Sequence, residues 1–236
     1  MISASLPSLP KSSKETFELI KDIIDMGEVD ILPKYIGNTG APGNTLEFLM
    51  DVEENNFDSP DYRDWEMKFH GGASLITLMH KEPEPKGIIN EMVDVFGWPN
   101  DKGQLSFRHT FGGSSPLGFF VENNGGRVYI KNKNNPSFVA FWEHNALLNT
   151  WAAKLRRLIL VEGKVKGSKV IYKRAYAFWD LKLLDIFRLL EDGTIRIDFD
   201  ARTKEGRGSG IRNHGTKLRI DIRDISKLYL NSVIIE

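Results

Sequence analysis

Asp61, Glu66 and Lys68 lie close together in residues 60–68, which read Pro-Asp-Tyr-Arg-Asp-Trp-Glu-Met-Lys. Alternating side chains predict a strand over residues 65–69. Residues two apart in a strand share a face, so Glu66 and Lys68 point the same way while Met67 points into the opposite layer. Asp61 precedes this strand closely enough for its carboxylate to fold over the face of Glu66 and Lys68.

This arrangement can hold a divalent metal ion beside an attacking water. Mg²⁺ prefers oxygen ligands, and Asp61, Glu66 and the backbone carbonyl of Met67 could supply them. Such a metal acidifies a bound water and neutralises charge that develops on a phosphate. Lys68 could then deprotonate that water or stabilise the extra negative charge. The spacing alone is weak evidence, because a surface strand with a glutamate and a lysine on its wet face looks the same.

A helix before this strand offers a further carboxylate, that of Glu47. Thr45 is expected to cap the helix, with Leu46, Phe48 and Leu49 packed inward so that they fix the direction of Glu47. The preceding turn, residues 37–45, fails the pattern of a phosphate-binding P-loop because asparagines occupy a required lysine position and a required glycine position. A nucleotide triphosphatase is therefore not expected.

The elements around this segment alternate between helices and strands. A capping box at Ser12 and apolar residues at helical spacing predict a first helix up to about Met26. Further helices are expected at about 88–96, 145–160 and 178–190. Strands are expected at 74–79, 105–111, 117–122, 127–131, 138–141, 165–172, 195–199 and 218–222.

Two hairpins are expected among these strands. Residues 65–69 and 74–79 are separated by a glycine pair, and residues 123–126, Asn-Asn-Gly-Gly, are the clearest turn signal in the chain. The mixed order of helices and strands predicts an α/β fold with a mixed β-sheet core flanked by helices.

Charge is balanced overall but is unevenly distributed. The 32 basic and 32 acidic residues cancel, which argues against holding nucleic acid by bulk charge alone. Acids dominate from the first helix to Glu66, whereas basic residues dominate residues 154–174 and 202–219. An acidic metal-holding part and a basic polyanion-holding part have this pattern, and so do two differently charged solvated faces.

Several protein classes are excluded or disfavoured by composition. The chain has no cysteine, which rules out disulfides, thiolate zinc sites and a cysteine nucleophile. No stretch approaches the roughly 18 apolar residues of a membrane span, and the first residues lack the basic and apolar regions of an export signal. A cytoplasmic location is therefore expected.

The metal-site residues also carry a family resemblance. Asp61, Glu66 and Lys68 match the catalytic motif of the PD-(D/E)XK nuclease superfamily. A second run resembles the MvaI/BcnI restriction endonucleases and the mismatch-repair nuclease MutH. It consists of Gly37-x-Thr39-Gly40, Thr45-Leu46-Glu47 and Glu54-Asn55-Asn56. A second block resembles the segment near the family's C-terminus that enters a DNA groove, Ile211-Arg212-Asn213-His214-Gly215-Thr216-Lys217-Leu218-Arg219.

The resemblance implies a restriction-endonuclease-like fold, with residues 1–236 as a single bilobed nuclease domain. The catalytic lobe would lie mainly in 1–110 with later core elements, and the DNA-recognition lobe mainly in the C-terminal half. The active-site residues carried over are Glu47, Asp61, Glu66 and Lys68. All three carboxylates and the Met67 carbonyl are then candidate ligands of Mg²⁺, with Mn²⁺ able to replace it.

The implied activity is that of a type II restriction endonuclease. It would hydrolyse phosphodiester bonds in double-stranded DNA at a short CC-N-GG-like site, leave a 5′-phosphate, act as a monomer and accompany a DNA methyltransferase in the host. A MutH-like enzyme that nicks one strand is the first alternative. The second is a non-catalytic DNA-binding protein, which the intact Asp61, Glu66 and Lys68 argue against.

Residues that could read bases occur in the basic, glycine-rich C-terminal segment. Arginine can hold guanine through two hydrogen bonds, asparagine can hold adenine in the same way, and histidine can donate or accept at a base edge. The alternative is a loop that touches only phosphates. His80, at the end of a predicted strand, is a further candidate, although a structural histidine is the commoner case. The candidates in the segment are Arg207, Arg212, Asn213, His214 and Lys217.

Overall fold

Two groups of residues form the fold. The computed structural model describes residues 9–11, 13–52, 60–72, 75–204 and 210–235. One unit takes its described residues from Met1–Ser74, Ala152–Lys182 and Ser226–Glu236, and the second takes them from Leu75–Trp151 and Leu183–Ile225. The chain crosses between the units four times, so neither unit is continuous in sequence.

The elements confirm a mixed α/β fold. Its helices are α1 (Ser13–Asp25), α2 (Ala41–Leu49), α3 (Ile88–Phe96), α4 (His144–Leu155) and α5 (Asp185–Glu191), with 3₁₀ helices at Pro33–Tyr35 and Ile222–Leu228. Its strands are β1 (Glu28–Asp30), β2 (Glu66–His70), β3 (Ile76–His80), β4 (Trp98–Pro99), β5 (Leu105–Phe111), β6 (Phe119–Asn124), β7 (Arg127–Asn132), β8 (Val139–Glu143), β9 (Arg157–Lys166), β10 (Lys169–Leu181), β11 (Ile195–Thr203), β12 (Ile211–Asn213), β13 (Lys217–Ile220) and β14 (Tyr229–Ile235).

The first unit is built on a five-stranded mixed sheet. Its strand order is β1-β10-β9-β2, and β14 pairs with the second half of β10. β2 runs parallel to β9, whereas the pairs that β10 makes with β1, β9 and β14 are antiparallel. Among the described strands, β2 has β9 as its only neighbour, so β2 lies at an edge of the sheet.

The hydrophobic core of this unit fixes which face of β2 is buried. Met67 packs with α1 and α2 in one cluster that also contains Ile159, Val161 and Tyr172 from the neighbouring strands. Trp65, immediately before β2, is fully buried against the Phe17 ring, with centroids 5.5 Å apart. Since side chains alternate along a strand, Glu66 and Lys68 point away from this core.

The second unit contains two antiparallel sheets. The larger has the order β3-β13-β11-β5-β4 with β12 paired to β11, and the smaller has the order β6-β7-β8. The predicted turn between β6 and β7 is confirmed, because Asn124 faces Arg127 across Gly125 and Gly126, whose φ angles are 60° and 84°. Both glycines therefore adopt the positive φ that a tight hairpin requires. Aromatic rings fill the interior around Phe96, Phe107, Phe119 and Phe138.

The predicted hairpin of residues 65–69 with 74–79 is wrong. β2 pairs in parallel with β9 of the first unit, whereas β3 pairs antiparallel with β13 of the second. The glycine pair at 71–72 was read as a hairpin turn, but the chain leaves one sheet there and enters another.

Three predicted elements in residues 145–190 are also corrected. The helix expected up to residue 160 ends at Leu155, and Leu158 lies in β9. The strand expected at 165–172 is the end of one strand, a turn at Gly167 and the start of the next. The helix expected at 178–190 is α5 alone, because residues 178–181 complete β10. The apolar residues at the start of this expected helix belong to a buried strand. Over so short a run, the spacing of apolar residues does not distinguish a buried strand from a helix.

The helix that carries Glu47 begins earlier than predicted. α2 starts at Ala41 with Pro42 in its first turn, and Thr45 lies inside the helix, where its hydroxyl donates to the Ala41 carbonyl at 2.8 Å. Phe48 was expected to pack inward but is 60% exposed. The capping residue expected for α1, Ser12, lies outside the described residues.

None of the described helices combines the length and the apolar character needed to cross a membrane.

The packing of β9 against β10 gives a test of the fold. A Cβ at Gly163 would lie 2.4 Å from the Ile171 carbonyl oxygen and 2.8 Å from the Phe69 ring, whereas a Cβ at Gly72 would meet nothing within 4 Å. We expect Gly163→Ala to lower the free energy of unfolding by about 2–3 kcal/mol, since backbone atoms must shift. Gly72→Ala should stay within about 0.5 kcal/mol of the parent in urea titrations. Equal stability of the two variants would contradict this packing.

Candidate active site

The centre of the site is a glutamate whose side chain is completely buried. Glu66 lies at the start of β2, and its side chain is 0% exposed. Its Oε1 atom accepts a hydrogen bond from the Lys68 ammonium and lies 3.6 Å from the Lys154 Nζ atom. Its Oε2 atom is also buried and has no hydrogen-bond partner. One oxygen of the carboxylate is therefore neutralised by two lysines while the second is unpaired.

Burial shifts the protonation of this glutamate. The pKa of Glu66 is raised from its ordinary value of 4.5 to about 7, chiefly by loss of hydration and in smaller part by the Asp61 charge. Lys68 and Lys154 act in the opposite direction, because a nearby cation favours the ionised form. The two lysines thus limit, without cancelling, the cost of burying this charge.

Asp61 is fixed by the backbone of the same strand. The Met67 amide donates to its Oδ2 atom at 3.0 Å. A tight turn brings the aspartate to this position, because Tyr62 and Trp65 exchange two backbone hydrogen bonds of 3.0 and 2.8 Å. The fully buried Trp65 ring anchors the turn that links Asp61 to Glu66.

These groups fit a divalent metal ion. The unpaired Oε2 of Glu66 and the second oxygen of Asp61 are both hard ligands of the kind Mg²⁺ takes. The Met67 carbonyl leaves the strand on the same side as its amide, which faces Asp61 away from β9. Two carboxylates and one carbonyl would leave the remaining positions to water and phosphate oxygens.

The third carboxylate expected from the sequence, Glu47, does not complete a three-carboxylate cluster in the described residues. Within the described ranges, no three or more His, Asp or Glu side chains are placed so that they could hold a metal ion together. Glu47 lies on α2 with its side chain half-buried. The structure thus groups Asp61, Glu66, Met67 and Lys68, and it does not join Glu47 to them in a three-carboxylate cluster.

Lys154 was not identified from the sequence as part of the site. It was counted among the basic residues of the 154–174 run, but it lies far along the chain from Glu66. Only the parallel pairing of β2 with β9, directly after α4, brings it close to that carboxylate. An uninterrupted apolar run, Leu158 to Val161, was the signal that could have revealed the buried strand.

The candidate base-reading residues lie in the second unit. Arg212 and His214 are exposed at the end of β12 and just beyond it, and His80 is exposed at the end of β3. Lys217 is less available, because its Nζ atom lies 3.8 Å from carboxylate oxygens of both Asp198 and Asp200. The remaining candidate outside this group, Arg207, lies outside the described residues.

Asn213 makes hydrogen bonds that stabilise the loop that contains it. Its Oδ1 atom accepts from the Gly215 amide at 2.9 Å, and its Nδ2 atom donates to Glu82 Oε1 at 3.0 Å. Glu82 also accepts from the Thr216 amide at 2.8 Å and from the Thr216 hydroxyl at 2.9 Å. Both carboxylate oxygens of Glu82 therefore tie down the segment between Arg212 and Lys217, a role that no local sequence signal indicates.

Charged residues of β5, β11 and β13 form a network beside this loop. Asp198 accepts from the Thr110 hydroxyl at 2.7 Å and from Arg219 Nη1 at 3.1 Å. Arg108 Nε lies 3.0 Å from Asp200 Oδ1. No short sequence motif singles out Arg108, Asp198 or Asp200. The alternation of charged and apolar residues along β11 was the available signal.

The comparisons with known proteins define the class. The profile of the MvaI/BcnI restriction endonuclease family matches residues 18–229, so the chain belongs to this family. It is a type II site-specific endonuclease. No match was found among curated protein sequences.

Two solved structures have the same fold. One is the restriction endonuclease MvaI in complex with its cognate DNA substrate, with a TM-score of 0.78 and 22% identity over 97% of this chain and 100% of that one. The second is MvaI in the absence of DNA, with a TM-score of 0.55 and 23% identity over 98% of this chain and 100% of that one. The restriction-endonuclease-like fold expected from the sequence is confirmed.

Burial of Glu66 predicts how stability depends on pH. Between pH 4.5 and about 7 the folded protein keeps a proton on Glu66 that the unfolded chain has released. The stabilisation is complete below pH 4.5 and is lost as the pH rises through about 7. In metal-free buffer we expect the free energy of unfolding to fall by about 3 kcal/mol over this range. Glu66→Gln should flatten this part of the profile, and parallel profiles for the two proteins would contradict the assignment.

The contacts of Glu82 predict the mobility of the loop between Arg212 and Lys217. Removing its carboxylate leaves the Thr216 amide and hydroxyl without their acceptor, at a cost of about 1–3 kcal/mol. We expect Glu82→Ala to speed hydrogen exchange of the Thr216 amide by at least about tenfold. Glu82→Gln keeps one acceptor oxygen and should give an intermediate rate. Unchanged exchange in Glu82→Ala would show that another group holds the loop.

Proposed function

We propose that this endonuclease uses Mg²⁺ to hydrolyse phosphodiester bonds in double-stranded DNA at a short CC-N-GG-like site, leaving a 5′-phosphate. The observation that carries the proposal is the buried, unpaired Oε2 of Glu66 beside Asp61 and Lys68. A buried carboxylate oxygen without a partner is costly to the fold, and a bound cation would remove that cost.

Asp61, Glu66 and the Met67 carbonyl are the proposed metal ligands. Mg²⁺ bound there, or Mn²⁺ in its place, supplies the Lewis acidity that generates a nucleophile from water and offsets charge on the phosphate. The Met67 amide keeps one oxygen of Asp61 occupied, which fixes the direction of the other. Lys154 and Lys68 favour the ionised form of Glu66, which is the form that can act as a ligand.

Lys68 is the proposed catalytic residue that acts on the attacking water and on the phosphate. Its ammonium donates to Glu66 Oε1, so its position is fixed relative to both carboxylates. From there it can orient the attacking water and stabilise the negative charge that forms on the phosphoryl oxygens. Cleavage that leaves a 5′-phosphate breaks the bond between phosphorus and the 3′ oxygen. Glu47 remains a proposed active-site residue that acts from α2, outside the paired carboxylates.

The proposed division of labour follows the two units. The metal-site residues belong to the first unit, which we assign to the catalytic lobe, and the candidate base readers belong to the second, which we assign to the recognition lobe of one bilobed domain. Support for a duplex DNA substrate comes from MvaI, whose structure was solved as a complex with its cognate DNA substrate. We further propose that the protein acts as a monomer and has a DNA methyltransferase as its companion.

Within the recognition lobe, exposed side chains carry the proposed base readout. Arg212 and His214 can reach base edges because both are exposed on a loop whose backbone Glu82 holds in place. Arg207 and His80 are proposed to contact DNA as well. Lys217 is proposed to contact a DNA phosphate and not a base edge, because the carboxylates beside its ammonium restrict its reach. Asn213 is proposed to contribute mainly through the loop that it closes.

Replacing one proposed ligand at a time tests the function. With Mg²⁺, the parent protein should cut a plasmid into discrete fragments, and chelation should prevent this. We expect Asp61→Asn and Glu66→Gln each to lower the cleavage rate by about 10³-fold or more while duplex binding is kept, because only reaction chemistry is removed. Asp64→Asn is the matched control, since Asp64 is exposed and pairs with Arg157 at 2.5 Å.

Three outcomes would contradict parts of this proposal. Cleavage retained by Asp61→Asn would remove Asp61 from the metal site. Single-strand nicks without double-strand breaks would favour a strand-nicking enzyme over a restriction endonuclease. Loss of cleavage in Asp64→Asn equal to that in Asp61→Asn would show that the turn, and not the ligand, was tested.

A further inference from the structure

An open pocket of about 420 Å³ lies at one end of the sheet in the first unit, and its lining includes none of the proposed metal ligands. We call it the basic pocket. Three of its lining side chains are cations and one is a carboxylate. It is lined by His70, Gly71, Gly72, Glu162, Gly163, Lys164, Lys173 and Arg174.

The strand register places this pocket on the same sheet face as the metal site. His70 follows Lys68 by two residues on β2, so the two side chains share a face. His70 is paired with Glu162 of β9, and Glu162 is paired with Arg174 of β10. The basic pocket therefore continues the row that begins with Glu66 and Lys68.

A β-bulge directs two of the cations into the pocket. The register of β9 with β10 shifts between Tyr172 and Arg174, which leaves Lys173 as the extra residue. Tyr172 stays in the core, where its hydroxyl donates to the Pro42 carbonyl at 2.8 Å. Because a bulge interrupts the alternation of side chains, Lys173 and Arg174 can both line the pocket on the side away from that core.

Three of the lining residues are glycines, Gly71, Gly72 and Gly163, so backbone and no side chains form part of the pocket wall. An anion can therefore approach the cations at close range.

We propose that the basic pocket binds the backbone phosphate next to the scissile one on the cleaved DNA strand. This inference rests on the proposed function. Lys68 and His70 are separated by about 7 Å along the strand, at roughly 3.3 Å per residue. That separation is similar to the step between successive phosphates on one nucleic-acid strand. Lys164, Lys173 and Arg174 exceed the single carboxylate Glu162 in charge, as a site for a phosphodiester anion requires.

The experiment combines variants with a neutralised phosphate. A duplex containing the cleavage site is made with one uncharged methylphosphonate at each position flanking the scissile bond in turn. Binding is measured in the Asp61→Asn background, so that no cleavage occurs, for the unaltered pocket and for Lys173→Ala/Arg174→Ala. The control is Lys166→Ala/Lys169→Ala, which removes two lysines of the same two strands that pair with Glu28.

With the pocket unaltered, we expect one flanking methylphosphonate to weaken binding by about tenfold. Lys173→Ala/Arg174→Ala should bind unmodified DNA at least about tenfold more weakly and should be insensitive to methylphosphonate at that one position only. The slope of log affinity against log salt should fall by about one to two, as expected when phosphate contacts are lost. The control pair should keep the sensitivity of the unaltered pocket at every position.

The inference is overturned if Lys173→Ala/Arg174→Ala keeps the same sensitivity at every position. If the double variant does not fold, the same binding measurement is made with Lys164→Ala, which lies on β9 and not on the bulged strand. Unaltered sensitivity of Lys164→Ala to methylphosphonate at every position also overturns the inference. Failure of the proposed function gives a different result, because the parent protein would then not cleave the unmodified duplex. If the parent protein cleaves DNA but the pocket variant keeps the methylphosphonate sensitivity of the unaltered pocket, only the inference about the basic pocket is refuted.

Discussion

The structure depends on one buried carboxylate, Glu66, whose charge is only partly compensated. Two lysines reach one of its oxygens, and the other oxygen is buried without a partner. Burial of such a group costs free energy that a tightly packed core must offset, and Trp65 and Met67 place the strand in that core. The local electrostatics of the site are therefore incomplete in the protein alone, and a bound cation is the simplest group that completes them.

This arrangement explains why β2 must pair with a distant part of the chain. β9 runs parallel to β2, and parallel strands require a long connection between them. Here that connection contains residues of the second unit and ends in α4, which supplies Lys154. Placing the connection between the two strands brings a cation to the buried carboxylate and inserts the second unit into the chain without disturbing the sheet.

Local signals predicted much of the fold and the proximity of Asp61, Glu66 and Lys68, whereas other parts of the structure depend on non-local contacts. α3, β5 and the turn at Gly125 were predicted closely because helical spacing, alternation and turn residues act within a few positions. The grouping of Asp61, Glu66 and Lys68 follows from one strand and its entry. Lys154 and Glu82 had no such signal, because each acts through hydrogen bonds or charge across pairings of remote strands. The end of β10 was predicted as helix because a short apolar run in a buried strand has no periodicity that separates it from a helix.

The two kinds of site are supported by opposite physical means. In the first unit, burial of Glu66 costs folding free energy. The burial that its proposed role as a metal ligand requires therefore lowers the stability of the protein without metal. In the second unit, Arg212 and His214 are exposed, and the hydrogen bonds of Glu82 hold the backbone beside them at little cost of desolvation. Substitutions at the proposed base readers are therefore expected to change binding while leaving stability nearly unaltered, whereas any substitution that neutralises Glu66 is expected to change both the reaction and the stability of the protein. The proposed recognition surface can therefore tolerate substitution more readily than the proposed metal site, whose chemistry is tied to one buried group.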